Sequence, residues 1–149
     1  MFRSIFKTSL KGYLLLGLMA CGDQLPLSSG ALTGASVATP TSWVGVASDD
    51  VIQLETQGEG PYSVNLWTVL VGDDLHVFAG DNYANWVEHI EANALVRLQS
   101  ENLVYDLKAE RVTDPGHFEQ FAQAWEAKYG HRPRNESVQE TYLFRLTER

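Results

Sequence analysis

The chain has 149 residues, 44% hydrophobic and 20% charged, with eleven Lys and Arg against nineteen Asp and Glu. That is ordinary globular material rather than a disordered polymer, and about 110 residues able to pack a core make one domain the natural count. The formal charge of −8 makes nucleic acid a poor partner, since its backbone needs clustered Lys and Arg to displace its counterions.

Charge is unevenly distributed along the chain. Arg3, Lys7 and Lys11 open it without an acid, and no Lys or Arg follows until Arg97. Residues 12–20, GYLLLGLMA, form an apolar run of nine, too short for a bilayer that needs about 20 residues. Basic start, short apolar run and small residue make the three-part pattern of a secretory signal. Leu18-Met19-Ala20-Cys21 resembles a bacterial lipobox, which implies cleavage before Cys21 and a diacylglycerol thioether on its sulfur. Met19 is a departure from the usual Ala or Ser. Cys21 is the one cysteine of the chain, so no intramolecular disulfide competes for it. A plain secretory signal with a chance cysteine is the alternative. Removing residues 1–20 leaves eight basic and nineteen acidic side chains, −11, with −10 in 21–96 and −1 in 97–149. Gly22 follows the cysteine and Asp23 comes one place too late for inner-membrane retention. The resemblance therefore implies a lipid anchor on the outer membrane, facing the periplasm.

Residues 21–41 read as the tether of that anchor. Within 28–42 all but Leu32 and Val37 are Ser, Thr, Gly, Ala or Pro, a composition that buries too little to offset ordering and predicts flexibility. Thr33-Gly34-Ala35-Ser36 resembles the end of a motif that accepts FMN covalently on a hydroxyl. Gly30 stands where that motif has an acid, and a linker of this composition also produces such a match by chance.

A folded domain is expected over 42–149. Trp43–Ala47 and Val51–Thr56 alternate apolar and polar residues as short strands do, and Pro61–Val71 is almost wholly β-favouring. Gly72-Asp73-Asp74 supplies a turn into a strand at Leu75–Ala79, a hairpin signature. Asp81-Asn82 predicts the cap of a helix near Ala84–Ala92, with Trp86, Val87 and Ile90 on one face. Strands follow at Leu95–Gln99 and Leu103–Val112. Asp114-Pro115 predicts a helix start and Gly130 its end. Between them Phe118, Phe121, Ala122, Trp125 and Tyr129 recur at helical spacing, as a core stripe or as a wall facing a cofactor. Glu140–Thr147 is the closing strand. Seven short strands and two helices predict a mainly β, α+β fold, a small Greek-key barrel.

The residues then resemble a family. Leu54-x-Thr56-x-Gly58, Val64-x-Leu66-Trp67, Gly72-Asp73-x-Leu75-x-Val77-x-Ala79-Gly80, Trp86-x-x-His89-Ile90-x-Ala92-Asn93 running into Val96-Arg97-Leu98, and the ending Leu143-Phe144-Arg145-Leu146-Thr147-x-Arg149 are similar to split-barrel flavin proteins. The likeness is to the nitroreductase and deazaflavin-dependent, pyridoxamine-phosphate-oxidase-like group, nearest its uncharacterised short members, over about 43–149. It implies an FMN-binding-like split barrel, FMN or deazaflavin in a groove, often at a homodimer interface, and reduction of quinones, nitro compounds or pyridoxal-type substrates. The chain departs from it where relatives hold the flavin phosphate. Tyr62 and Ser63 stand where Arg or Lys is expected, leaving Arg97, Lys108, Arg111, Arg132, Arg134 or Arg145 to supply charge. His89 for Asn and Ala94 for Pro are smaller departures.

Three functions are expected on these grounds. In the first, a groove lined by Trp67, His76 and Trp86 binds a small apolar or aromatic ligand. In the second, a flavin-type oxidoreductase contacts its cofactor through Ser63, Asn65 and Arg97. The third is a structural or partner-binding lipoprotein. His76, His89, His117 and His131 lack metal-ligand spacing and read as solvated or rim side chains, so no metal is expected. Ser42 and Ser63 have no His/Asp pattern of a nucleophile around them. Asp49-Asp50 and Asp73-Asp74 read as turn acids.

Overall fold

The computed structural model describes residues 30–47 and 50–149. The signal-like segment, Cys21 and Asp49 lie outside the described residues. Among those described, no helix is long and apolar enough to cross a membrane.

The elements are β1 (Ala35–Val37), β2 (Val51–Gln57), β3 (Pro61–Val71), β4 (Asp74–Phe78), α1 (Asn85–Ala92), β5 (Leu95–Ser100), β6 (Leu103–Arg111), α2 (Pro115–Tyr129) and β7 (Leu143–Glu148). Strands β2, β3 and β4 form an antiparallel meander. The chain then crosses through α1 to lay β5 on the far side of β2, and β6 follows as a hairpin. Strand β7 pairs with both β4 and β6, which closes a six-stranded antiparallel barrel in the order β6-β5-β2-β3-β4-β7. Closure removes the long exposed edges that invite aggregation. The fold is a small split β-barrel with two helices.

Alternation along the strands fills the barrel. Ile52 and Leu54, Leu75 and Val77, Val96 and Leu98, Leu107 and Ala109, and Phe144 and Leu146 are pairs two residues apart within one buried cluster, as side chains on one face of a strand must be. Helix α1 adds Trp86, Val87 and Ile90 to that cluster. Helix α2 packs outside, where Phe118, Phe121, Ala122 and Trp125 bury against Val69, Val112, Val138 and Leu143. The aromatic stripe is thus core. Asp114 accepts from the His117 N–H, Pro115 opens the helix, and Gly130 ends it with φ 80°, as its sequence predicts.

Four local expectations are corrected. Trp43–Ala47 is a turn rather than a strand, with Gly45 at φ 76°. Its Trp43 is buried edge-on against Tyr105, 4.9 Å between centroids. The seventh strand lies instead at β1, inside the stretch read as a flexible tether, and pairs parallel with β6 from Ala35↔Leu103 to Val37↔Tyr105. Helix α1 has Ala84 at its N-cap with no side-chain cap bond, so Asp81 and Asn82 do not cap it. The closing strand begins at Leu143 rather than Glu140.

Candidate functional site

The residues expected to line a ligand groove or to contact a flavin fall into four places. The first is a row across the outer barrel face. Register sets Glu55 opposite both Ser63 on β3 and Arg97 on β5. Arg97 Nη1 lies 3.1 Å from Glu55 Oε2 and its Nε 3.5 Å from Asp106. Glu55 is only 2% exposed, and a buried carboxylate must be paired and hydrogen-bonded. The chain itself supplies the remaining bonds. The Leu32 N–H donates to Glu55 Oε2 at 2.7 Å, Gln57 Nε2 to Oε1 at 2.9 Å, and Ser63 Oγ to the Gly30 carbonyl at 2.6 Å. Residues 30–37 therefore lie as a strap over this row, with Leu32 buried. Asn65 is exposed on β3, opposite Gln53. Ser36, the residue of the covalent-FMN motif, is an exposed residue of β1.

This row does not fit a flavin phosphate. A phosphate dianion needs donors not already neutralised. Here the guanidinium is committed to Glu55 and Asp106, the Ser63 hydroxyl reaches Gly30, and a second anion would stand beside a buried carboxylate. Ser63, Asn65 and Arg97 are thus not a phosphate cradle as arranged.

His76 is the second place. It alternates with Leu75 and Val77 on β4, so it points out of the barrel and lies beneath α2, 1% exposed. Its Nδ1 is 3.1 Å from the Asp74 carbonyl and its Nε2 2.8 Å from His117 Nε2. A carbonyl only accepts, so Nδ1 carries the proton, Nε2 is bare, and His117 Nε2–H donates to it. Burial, helped by the charges of His117 and Arg145 and opposed by the Asp74 hydrogen bond, lowers the His76 pKa to about 4. His76 is a buried, structural side chain, not a solvated rim histidine. Among the described residues no three His, Cys, Asp or Glu are grouped to hold a metal ion. His89 is half-buried too, its Nδ1 2.9 Å from Thr56 Oγ1 and its ring edge-on to Tyr62.

Trp86 is the third place. It is buried in α1 against Phe144, 5.8 Å between centroids, and belongs to the barrel core.

Trp67 is the fourth and differs from the rest, being an aromatic residue 52% exposed on a strand whose other large apolar residues are half-buried or buried. It stacks on Tyr129 at 5.1 Å and 21° and lies 6.0 Å from Trp125. Beside it opens a cleft of about 400 Å³ lined by Trp67, Phe78, Trp125, Pro133, Asp81 and Arg134, among others. The size and the aromatic lining are those of small-molecule sites. Helix α2 presents Trp125, and the loop after it is clamped by Arg132, bonded to Glu119 at 2.8 Å and Glu136 at 2.6 Å. Burial, with the nearby Asp50 charge, pushes the Tyr129 phenol up to about 12, so it stays a neutral donor to the Thr68 carbonyl at 2.8 Å. A second cavity of about 450 Å³ lies between β3 and α2. Its walls are mostly small aliphatic side chains, and its cation, Lys128, is held by Thr68 O and Asp50.

Sequence reasoning placed Trp67 in a binding groove and missed Phe78, Trp125 and Arg134 as its companions. Phe78 carried no motif, Trp125 stood in the helical stripe, and Arg134 was one of six candidate cations.

No protein-family model matches the chain. No curated protein matches it either. Among solved structures it is similar to a candidate pyridoxamine 5′-phosphate oxidase from Listeria innocua, with TM-score 0.52 and 16% identity over 66% of this chain and 83% of that one. A candidate 5-nitroimidazole antibiotic resistance protein from Bacteroides thetaiotaomicron gives TM-score 0.54 and 15% identity over 68% and 74%. A FAD-binding protein from Mesorhizobium loti gives 0.50 and 19% over 69% and 82%. These likenesses show the fold, a split β-barrel.

Proposed function

We propose that this is an exported protein, lipid-anchored through Cys21 at the outer membrane facing the periplasm, whose barrel domain binds a small aromatic molecule. The observation that carries the binding reading is the half-exposed Trp67 at the rim of the Phe78–Trp125 cleft. An indole left half in water beside an aromatic hollow gains contact area and offset ring stacking when a planar ligand enters. The test is quenching of tryptophan emission by a set of naphthalene and indole compounds in wild type and Trp67→Ala. Saturable 1:1 binding weakened about tenfold or more by the substitution supports the reading, since an aromatic anchor contributes 1–2 kcal/mol or more. No saturable binding removes it. The anchor rests on the lipobox-like Leu18–Cys21 alone. A native protein whose mass retains Met1 and lacks a diacylglycerol adduct would remove that part of the proposal.

The fold of the FAD-binding neighbour favours a second reading, a flavin- or deazaflavin-dependent oxidoreductase. It requires the phosphate to be held away from Ser63, Asn65 and Arg97. A yellow native protein whose colour survives Arg97→Met would favour it over the first. Pairing of two copies belongs to either reading, and light scattering of the purified protein at a monomer mass would remove it. A purely structural or partner-binding lipoprotein is what remains if neither aromatic nor flavin compounds bind.

A further inference from the structure

The aromatic cleft has one chemical feature that its walls do not explain. It is a cation with no carboxylate within 4 Å among the described residues. Among the described residues, seven of the eight Lys and Arg side chains stand within 4 Å of a carboxylate: Arg97, Lys108, Arg111, Lys128, Arg132, Arg145 and Arg149. Arg134, exposed at the rim, is the eighth and has no ion pair. The chain has a formal charge of −8, so acids are plentiful, yet this guanidinium is left open.

Trp125, 8% exposed, lines the same cleft with Trp67 and Phe78. A ligand that answers both the aromatic walls and the open guanidinium carries an anion on a planar ring. Asp81 lines the cleft as well and sets a limit on that charge, because a dianion would be repelled by the carboxylate more than a monoanion.

Building on the reading of the cleft as an aromatic site, we infer that its ligand is a planar aromatic monoanion, a carboxylate on one or two fused rings. The ring lies among Trp67, Phe78 and Trp125. The carboxylate meets the Arg134 guanidinium, whose fork of donors matches two carboxylate oxygens. Phosphate esters, including a flavin phosphate, are disfavoured by Asp81 at the same rim.

Calorimetry on the purified full-length protein tests this with 2-naphthoate and its neutral isostere 2-naphthamide. The acid should bind about tenfold more tightly or better, as expected of a charge-assisted bidentate bond, and R134Q should remove that preference. The Trp125 indole N–H resonance, assigned in nitrogen-15-labelled protein, should move on naphthoate binding. Equal affinity for acid and amide, or a preference that survives R134Q, overturns the monoanion assignment while the aromatic site stands. An unmoved Trp125 signal at saturation overturns the placement of the ring beside Trp125. If neither compound binds, the aromatic reading and this inference fall together.

Discussion

At the scale of single residues, the protein places ionisable groups where their charge state is constrained by partners. His76 binds fewer protons folded than unfolded, since its pKa falls from 6.5 to about 4 on folding. Stability is therefore complete above about pH 6.5 and declines as pH drops toward 4, by up to about 3 kcal/mol for this group. Protonation would set two N–H donors face to face, His76 against His117. Urea midpoints at pH 7 and pH 4.5 check it: wild type should lose more over that interval than His76→Asn, which keeps a donor for the Asp74 carbonyl. Arg97 and Glu55 give a second test. Arg97→Met strands a buried carboxylate and should cost about 3 kcal/mol or more, because breaking a buried pair costs more than the pair contributes. Glu55→Gln should cost less, since the amide still accepts from Leu32. The site was least legible at this scale. The parity of His76 with Leu75 and Val77 could have turned it outward from the barrel, and the position of Trp86 beside Val87 and Ile90 could have buried it. No spacing in the sequence announces that a loop arginine, Arg134, shares a cleft with Trp67.

Among elements, the turns between strands carry definite strain and relief. Gly72 takes φ 61° as first central residue of the two-residue β3–β4 turn, the position that favours glycine in such hairpins. The β5–β6 turn puts Glu101 at φ 54° in the corresponding place, where a side chain costs about 1 kcal/mol. Glu101→Gly should raise stability by up to that amount, read as a higher midpoint in urea. Asp114→Ala should lower it by about 1 kcal/mol through loss of the α2 cap. These elements were legible because their signals are local: the Asp-Pro start and Gly130 stop of α2, the β-branched and aromatic run of β3, the Gly-Asp turn. Strand β1 was not, because nothing local drives it. Its Ala-Ser-Val has an exposed face throughout and is ordered by the β6 edge. Gly34 shows how close that contact is, since a Cβ there would meet Asn102 O and Val104 at 2.8 Å. The alternation of Trp43–Ala47 misled for the opposite reason: period-two pattern over five residues is too short to outweigh Gly45.

For the molecule as a whole, the closed barrel and its outer helix were readable from order and periodicity, seven strands and two helices, although one strand lay elsewhere than expected. Closure depends on β7 reaching both β4 and β6, a long-range pairing that no window of sequence contains. The strap over 30–37 is the other long-range feature. Deleting residues 30–37 should expose Leu32's seat and leave Glu55 without one of its donors, lowering the thermal midpoint and increasing amide exchange in β2 and β5 more than in α2. Uniform exchange across all elements would contradict that account.

The stitching of Gly30 to Ser63 also fixes a length. If an acyl chain is carried on Cys21, nine peptide steps separate it from Gly30, the first described residue, a leash of at most about 30 Å when fully drawn out. The domain would then ride within one short radius of the lipid headgroups. A pull along that leash would load the Ser63–Glu55–Arg97 row and the parallel β1–β6 pairing in shear before any rung of the barrel itself.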